Sequence, residues 1–321
     1  MEHASTPLEI GNQIWEIDLL EQNQPGRTAG FILRDSLNVI IETGSSRSIG
    51  QIIQGLHALN IPRDELNYII VTHIHLDHAG GAGTLAKLCP NAKIVVHPRG
   101  ARHLIDPSRL ISGAKAVYGD LLEEYFGQIL AVPEDRVLVM NDGDTLTLGA
   151  NRTLTFLDTP GHAKHHFSIF DSLTKSMFTG DTTGIRYVHA YTGWNFEFVL
   201  PTTSPSDFDP QAVHASIAKM KQFPVQRIIH THFGSSPDPE DVYQTIDHAA
   251  DAFAAIAEEY YTEGMDWTIM AGHLEQWIRR HLQSLGHSVD DLSPLALDLE
   301  VNSKGLIYYV EKKRKESGKS N

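Results

Sequence analysis

Three histidines and one aspartate lie within six residues of this chain, in the stretch His73-Ile74-His75-Leu76-Asp77-His78. Neutral imidazole and carboxylate groups are common ligands of zinc and similar divalent ions, and packing alone does not explain their density here. A site built from these groups without a thiolate usually keeps an open coordination position. The stretch therefore predicts a metal site that supports chemistry.

A continuous β-rich run, Tyr68-Ile69-Ile70-Val71-Thr72, precedes the histidines and predicts a buried strand that ends at the cluster. Three later strands are predicted at 154–157, 176–178 and 227–230, and each has a potential ligand close behind it. These ligands are Asp158 and His162, then Asp181, then His232. The repeated pattern predicts that several strand ends converge on one site.

The elements around these strands predict an α/β layer arrangement. Short strands at 14–20, 30–33 and 38–41 are typical of a β-meander. Apolar residues between Ile49 and Leu59 then recur at helical spacing until a proline stops the pattern. A largely helical insertion is predicted for residues 100–130, as a lid or a wall of a substrate pocket.

The last quarter of the chain has helical patterning. Pro237-Asp238-Pro239-Glu240 has the composition of a helix start, and a second helical repeat runs through residues 269–282. Residues 302–315 predict a third helix capped by Asn302 or Ser303, although residues 306–310 also fit a strand.

Four separated motifs occur in a fixed order: Thr72-His73-Ile74-His75-Leu76-Asp77-His78, Thr159-Pro160-Gly161-His162, Phe178-Thr179-Gly180-Asp181 and Thr231-His232-Phe233-Gly234. Together they resemble the metallo-β-lactamase superfamily, over residues 72–234. The resemblance implies an α/β fold, a four-layer αββα sandwich. We expect this domain to cover residues 1–235, with a C-terminal helical extension at residues 236–321.

The resemblance also implies seven ligands for two divalent metal ions: His73, His75 and His162 for the first, Asp77, His78 and His232 for the second, and Asp181 bridging both. Two such cations, about 3.5–4 Å apart, give a hydroxide near neutral pH and polarise a carbonyl group. We therefore expect a binuclear hydrolase whose metal-bridging hydroxide cleaves a small ester, thioester or lactone. Zinc is the expected metal, with iron or manganese as alternatives.

Two catalytic roles are predicted for individual side chains. Asp77 is expected to steer protons to a leaving group in addition to binding metal. Tyr187 lies roughly where lactonases of the superfamily supply a tyrosine hydroxyl to the substrate carbonyl, so Tyr187 or Tyr191 is expected to donate to the developing oxyanion. The alternative is that the Tyr187 side chain only packs in the wall of the pocket. His166 is expected to support the site without binding metal, and His165 to be an ordinary core or surface histidine.

Other functions stay open at this level. Related sulfur dioxygenases use a similar scaffold with a single iron. A regulatory or ligand-binding protein would keep the site and use its helical C-terminal part to engage a partner. Nucleases of the superfamily also carry the histidine cluster, but a net charge of -14 repels nucleic acid phosphates.

Composition restricts the partners and the location. The chain has 321 residues, 41% hydrophobic and 21% charged, which is the balance of a globular protein. Its single cysteine, Cys89, excludes an internal disulfide and favours a cytoplasmic location. Residues 1–10 do not resemble a signal peptide, and no apolar run approaches the ~20 residues that cross a bilayer. We expect a small-molecule substrate, no nucleic acid or membrane partner, and a homodimer. The apolar faces of the C-terminal helices either cover the sandwich or pair with another subunit.

Overall fold

A computed structural model describes residues 6–203 and 205–317 of the chain. Residues 1–5, 204 and 318–321 lie outside the described part, and with them the start of the first predicted domain and the end of the second. The described residues form two large sheets, a two-stranded ribbon and helices.

The first sheet has seven strands in the order of the sequence. Its first four strands pair antiparallel, as the predicted meander requires, and the fourth to seventh strands pair in parallel. The strands are β1 (Leu8–Glu9), β2 (Ile14–Asp18), β3 (Ala29–Arg34), β4 (Asn38–Ile41), β5 (Leu66–Ile70), β6 (Lys93–Val96) and β7 (Val137–Val139).

The second sheet has six strands, and its order is β15-β14-β11-β10-β9-β8. Only β11 and β14 pair in parallel. Its strands are β8 (Thr145–Thr147), β9 (Thr153–Asp158), β10 (Phe167–Asp171), β11 (Ser176–Phe178), β14 (Arg227–Ile229) and β15 (Ser235–Ser236). The ribbon consists of β12 (Ile185–Tyr187) and β13 (Phe198–Leu200).

The two large sheets pack face to face, and the alternation of side chains along their strands explains this. Val39 and Ile41 of β4 belong to a buried cluster that also contains Phe156 and Phe167 of the second sheet. Ile40, between them, belongs to a different cluster on the opposite face of the first sheet. Successive residues of β4 are therefore buried on both faces, as expected for a strand between two apolar layers.

Helices cover both outer faces of the paired sheets, which confirms the four-layer α/β sandwich. Apolar residues of α1, α3 and α4 share a cluster with the first sheet, and those of α8 to α11 share one with the second sheet. The helices are α1 (Ile49–Ala58), α2 (Leu76–Ala79), α3 (Ala82–Leu88), α4 (Pro98–Ile105), α5 (Ser108–Tyr118), α6 (Leu122–Phe126), α7 (His189–Thr192), α8 (Pro210–Met220), α9 (Pro239–Tyr260), α10 (Trp267–Ser284) and α11 (Ala296–Ser317).

The C-terminal helices are continuous with the sandwich core. Phe253 of α9, Leu274 of α10 and Leu306 of α11 lie in the same buried cluster as Phe170 and Met177 of the second sheet. This cluster therefore spans the predicted domain boundary after residue 235. No described helix combines the length and the apolar composition needed to span a bilayer.

The third C-terminal helix forms as predicted, but the predicted start at Asn302 or Ser303 is wrong. α11 begins at Ala296, and Asn302 lies inside it, 4% exposed. An asparagine in a helical pattern suggests a helix start, because its side-chain amide can form a hydrogen bond with a nearby backbone group and so cap the helix. Here the amide of Asn302 instead contacts the main chain of Pro201 and Thr203.

Candidate metal centre

The histidine cluster lies at the carboxyl end of β5. The strand ends at Ile70, and His75 is the extended residue immediately before α2. The single turn of α2 then brings Asp77 and His78 round to the side on which His73 lies. The sequence therefore places four potential ligands on one strand-to-helix turn.

The other three predicted ligands follow strands of the second sheet. His162 follows β9, Asp181 follows β11 and His232 follows β14. These strands all run in the same direction, because β9 and β11 are both antiparallel to β10 and β14 is parallel to β11. Their carboxyl ends therefore meet at one edge of the sheet.

Three imidazoles form the first group of potential ligands. Nε2 of His73 and Nε2 of His162 each lie 2.9 Å from Nδ1 of His75. The ligand atoms of these three residues all lie within 4.8 Å of one another. Such a convergence of nitrogen atoms is the arrangement that a single metal ion requires.

A second group consists of Asp77, His78 and His232, whose ligand atoms also lie within 4.8 Å of one another. Oδ2 of Asp77 is 3.6 Å from Nε2 of His78 and 3.5 Å from Nε2 of His232. Asp181 lies between the groups. Its Oδ1 is 3.1 Å from Nε2 of His78, and its Oδ2 is 3.4 Å from Nε2 of His162.

This donor set suits divalent metal ions. Nε2 of His78 and Oδ1 of Asp181 are buried and lie 3.1 Å apart, and neither atom makes a hydrogen bond of suitable angle with any described residue. Buried polar atoms without a partner are costly, so each needs an explanation. A cation coordinated by both atoms supplies one, and nitrogen and carboxylate oxygen are suitable ligands for it.

The pKa shifts of the first group and of Asp181 favour the forms that bind metal, whereas those of His78 and His232 favour the protonated imidazole. Burial lowers the pKa of His73 and His75 well below the usual value and also lowers the pKa of His162, so these imidazoles are neutral. Burial opposes charge on His78 too, but three neighbouring carboxylates outweigh it and raise its pKa well above the usual value. The nearby imidazoles hold the pKa of Asp181 well below its usual range despite burial. The centre therefore favours positive charge next to the Asp181 carboxylate.

A buried carboxylate that does not stand out in the sequence, Glu42, orients part of the cluster. Its Oε1 accepts hydrogen bonds from Oγ1 of Thr72 at 2.5 Å and Oγ1 of Thr231 at 3.1 Å, and lies 3.2 Å from Nδ1 of His78. A carboxylate oxygen holds the proton of His78 on Nδ1 and leaves Nε2 free for metal. The available signal was its position at the end of β4, which pairs in parallel with β5.

Two main-chain carbonyl groups orient two further histidines in the same way. Nδ1 of His162 lies 3.1 Å from the carbonyl oxygen of Thr202, and Nδ1 of His232 lies 3.0 Å from that of Arg27. A carbonyl oxygen only accepts, so Nδ1 carries the proton in both rings and Nε2 keeps its lone pair. Any residue type has a carbonyl group, so no sequence pattern reveals these contacts.

A cavity of about 530 Å³ opens onto the ligand cluster. The predicted helical insertion forms one wall, with Leu110 and Val117 of α5, and α11 forms another, with Leu297 and Val301. Predicted ligands that line the cavity are His75, Asp77, His162, Asp181 and His232. The cavity therefore lies between two helices, with the donor cluster at one side.

Comparison with known proteins identifies the family. A model of the metallo-beta-lactamase superfamily matches residues 25–232, well over half of the chain. The chain belongs to this superfamily. The resemblance predicted from the four motifs is thus confirmed. Membership in the metallo-beta-lactamase superfamily and the histidine–aspartate cluster together indicate a protein that binds divalent metal.

Several proteins are similar in sequence to parts of this chain. The metallo-beta-lactamase fold-containing protein ST1585 of Sulfurisphaera tokodaii is 30% identical over 174 residues. These residues are 53% of this chain and 59% of the length of ST1585. The cytoplasmic hydroxyacylglutathione hydrolase of Arabidopsis thaliana is 30% identical over 37% of this chain and 35% of its own. An N-acyl homoserine lactonase of Bacillus thuringiensis is 27% identical over 54% and 56%. The chain spans about three fifths or less of the length of these relatives.

Solved structures support the metallo-beta-lactamase fold. The crystal structure of ST1585 from Sulfolobus tokodaii aligns with a TM-score of 0.64 at 22% identity, over 92% of this chain and 98% of that one. A metallo-beta-lactamase family protein from Thermus thermophilus, TTHA1429, aligns with a TM-score of 0.62 at 17% identity, over 89% of each chain. At this identity the likeness shows the fold alone. A coverage of 92% also exceeds what residues 1–235 could supply.

Tyr187 is placed differently from the other predicted site residues of this superfamily member. It is 1% exposed and does not line the cavity, and its hydroxyl donates a hydrogen bond to Oδ2 of Asp298 at 3.0 Å. The hydroxyl of Tyr191 accepts from Arg27 and donates to the carbonyl oxygen of Pro294 at 2.7 Å. Oxyanion stabilisation by either tyrosine stays a prediction, and the geometry gives both hydroxyl groups other partners.

Two neighbouring histidines differ in their surroundings. Nε2 of His166 accepts from the backbone nitrogen of Asp181 at 3.1 Å, and its Nδ1 lies 3.0 Å from Oγ1 of Thr159. This placement agrees with the predicted supporting role. His165 instead lines the cavity, with its ring centroid 5.4 Å from that of His75, so it lies closer to the centre than an ordinary core or surface histidine.

Proposed function

We propose that this protein is a binuclear metal-dependent hydrolase that cleaves a small ester, thioester or lactone. One observation carries the proposal: the ligand atoms converge in two groups of three residues, with the two oxygens of Asp181 directed at different groups. A carboxylate between two sets of ligands is what a bridging role requires.

In this proposal His73, His75 and His162 hold one ion, Asp77, His78 and His232 hold the other, and Asp181 binds both. When bound, two such ions supply a hydroxide nucleophile near neutral pH and polarise the carbonyl group under attack. The hydrogen bonds at Nδ1 of His78, His162 and His232 hold these rings in the orientation that the ions need.

Asp77 is the predicted ligand best placed to move a proton. Its side chain is 30% exposed and lines the cavity, whereas the side chains of Asp181 and His232 are at most 5% exposed. We propose that Asp77, besides its place among the metal ligands, would accept the proton of the attacking hydroxide and pass it to the leaving group. The apolar residues of α5 and α11 would hold the non-reacting part of the substrate and restrict water.

The relatives support an ester-like substrate without identifying it. Two are named for the hydrolysis of hydroxyacylglutathione and of N-acyl homoserine lactones. Zinc, iron and manganese all suit imidazole and carboxylate ligands, so the proposal names zinc first and keeps the other two as alternatives. A cytoplasmic location and a homodimer belong to the same proposal, as does a small-molecule partner in place of nucleic acid or membrane.

The test is reconstitution of metal-free protein with Zn²⁺, Mn²⁺ or Fe²⁺, followed by a panel of esters, thioesters and lactones. We expect two ions per chain and turnover of at least one substrate class. His162→Ala should abolish turnover and the binding of the ion assigned to His73, His75 and His162, because it removes a donor from that three-imidazole group. The matched control is His57→Ala, an exposed histidine on α1.

Two results would replace the proposal. Oxygen consumption with a persulfide by protein that holds one iron would identify a dioxygenase. Metal-loaded protein that turns over nothing in the panel but captures a specific partner through α9 to α11 would identify a regulatory protein. Fewer than two ions in a fully active preparation would refute the binuclear mechanism alone.

A further inference from the structure

α11 supplies no metal ligand, yet two of its polar side chains face the cavity. Asp298 and Asn302 lie four residues apart, so they share one face of the helix. They are 6% and 4% exposed, and both line the cavity. Polar groups buried this deeply need hydrogen-bond partners. The partners of Asp298 and Asn302 are themselves connected by hydrogen bonds to predicted metal ligands.

Asn302 holds the chain on both sides of Thr202. Its Oδ1 accepts from the backbone nitrogen of Thr203 at 2.6 Å, and its Nδ2 donates to the carbonyl oxygen of Pro201 at 3.4 Å. The hydroxyl of Thr203 donates in turn to the carbonyl oxygen of Asn302 at 2.9 Å. Between these contacts, the carbonyl oxygen of Thr202 accepts from Nδ1 of His162. Asn302 is therefore connected to a ligand of the first group through the main chain.

Asp298 holds Arg27 in a similar way. Its Oδ1 lies 3.1 Å from Nη2 of Arg27, and its Oδ2 accepts from the hydroxyl of Tyr187. Nη1 of Arg27 donates to the hydroxyl of Tyr191, 2.5 Å away. The carbonyl oxygen of the same Arg27 accepts from Nδ1 of His232. Asp298 is therefore connected to a ligand of the second group.

Burial of the Arg27–Asp298 pair does not by itself explain why it is there. A buried ion pair contributes little net stability, because desolvation offsets the attraction, and apolar side chains would dock the helix as well. Leu299, Leu306 and Val310 already anchor α11 in the core cluster. The pair and the Asn302 amide instead fix the positions of two main-chain carbonyl groups.

We propose that α11 positions one ligand of each metal group: Asp298 acts on His232 through Arg27, and Asn302 acts on His162 through Thr202. Both are positioning residues, because each acts on a ligand through the main chain of another residue. The inference rests on the proposed metal centre but not on the reaction. Loss of such an outer contact commonly weakens metal affinity about 10–100-fold.

The test is a titration of Zn²⁺ against a chromophoric chelator with the full chain. Asp298→Asn should weaken the affinity of one ion about 10–100-fold, and Asn302→Ala should weaken the affinity of the other by a similar factor. The matched control is Glu300→Gln on the same helix, which removes only the ion pair with Lys304 and should leave both affinities unchanged. Tyr187→Phe removes a single bond to Asp298 and should weaken the affinity of the same ion as Asp298→Asn, by a smaller factor.

Proton NMR of protein loaded with Co²⁺ shows which of the two histidines each variant affects. The imidazole protons on Nδ1 of His162 and His232 should appear as separate, slowly exchanging signals. Asp298→Asn should speed the exchange of one and Asn302→Ala that of the other. If Asp298→Asn fails to fold, Tyr187→Phe tests the same connection. If Asn302→Ala fails to fold, Thr203→Val, which removes the hydroxyl bond to the carbonyl oxygen of Asn302, tests the other.

Unchanged affinities and exchange rates in folded variants, with only a lower melting temperature, would overturn the inference and leave α11 a purely structural helix. Wild-type protein that binds two ions but hydrolyses nothing would refute the proposed reaction and not this inference.

Discussion

The strand-end loops and α11 both border the cavity, but they contribute different chemistry. The loops after β5, β9, β11 and β14 supply every predicted ligand, whereas α11 supplies groups that bond the main chain near two of these ligands. Ligand identity in this molecule is therefore local to strand ends. Ligand orientation depends in part on residues more than sixty positions away in the sequence.

The physical origin of this difference is the direction of the strands. Parallel strand ends meet at one edge of a sheet, so a few residues after each strand can reach the same point. α11 packs across that edge from outside, and there Asn302 forms hydrogen bonds with main-chain groups of Pro201 and Thr203. Three changes test the contrast, from the largest expected effect to the smallest.

Replacing a strand-end ligand should have the largest effect. Asp181→Asn removes the charge and one donor atom of the only residue whose carboxylate faces both groups of described ligands. We expect kcat/KM to fall about 10³-fold or more, since a metal ion contributes several kcal/mol and each factor of ten needs about 1.4 kcal/mol. Metal analysis should show the loss of at least one ion. Asp290→Asn, an exposed carboxylate, is the control. Full activity of Asp181→Asn would contradict the separation of roles.

A strand-end residue that does not bind metal should have an intermediate effect. Glu42→Gln keeps the size of the side chain but replaces an acceptor of three contacts, with Thr72, His78 and Thr231. We expect the affinity of the ion next to His78 to weaken about 10–100-fold, as measured by Zn²⁺ competition. Exposed Glu65→Gln should bind both ions normally. An unchanged affinity in Glu42→Gln would mean that only α11 and the main chain orient the ligands.

A change outside both regions should have the smallest effect. His214 of α8 lies between Asp247 and Asp251 of α9, at 2.7 and 2.8 Å. Burial lowers its pKa, but the hydrogen bonds to the two carboxylates together outweigh burial and raise it. Because the folded pKa lies above the unfolded value, the contacts stabilise the fold below about pH 6.5, and this contribution is lost as pH rises through the folded pKa.

We therefore expect His214→Ala to lower the free energy of unfolding at pH 6 by at most about 1 kcal/mol, as befits a partly exposed pair. Urea unfolding should show a smaller difference at pH 9, and metal affinity should stay unchanged at both pH values. A stability difference that grows with pH would mean that the charge on His214 is unimportant. A change in metal affinity would extend the positioning role beyond α11.

Much of the fold could be predicted because its signals are local. β4 lies where the sequence placed it, and α9 begins at Pro239 after the cap Asp238, as the helix-start composition indicated. α11 shows the limit of such signals. Its start was misplaced by six residues because Asn302 suits a cap in isolation and its real partners, Pro201 and Thr203, are distant in sequence.

The sequence alone determined which side chains can bind metal and that they follow strands, because donor type and hydrophobic periodicity are properties of short segments. Only the tertiary structure decided what orients them. The hydroxyl groups of Tyr187 and Tyr191 donate hydrogen bonds to Asp298 and to the carbonyl oxygen of Pro294. The carbonyl oxygens of Arg27 and Thr202 accept hydrogen bonds from His232 and His162. The reason is physical: a main-chain carbonyl carries no residue identity, so its partner is set by how the sheets and α11 pack.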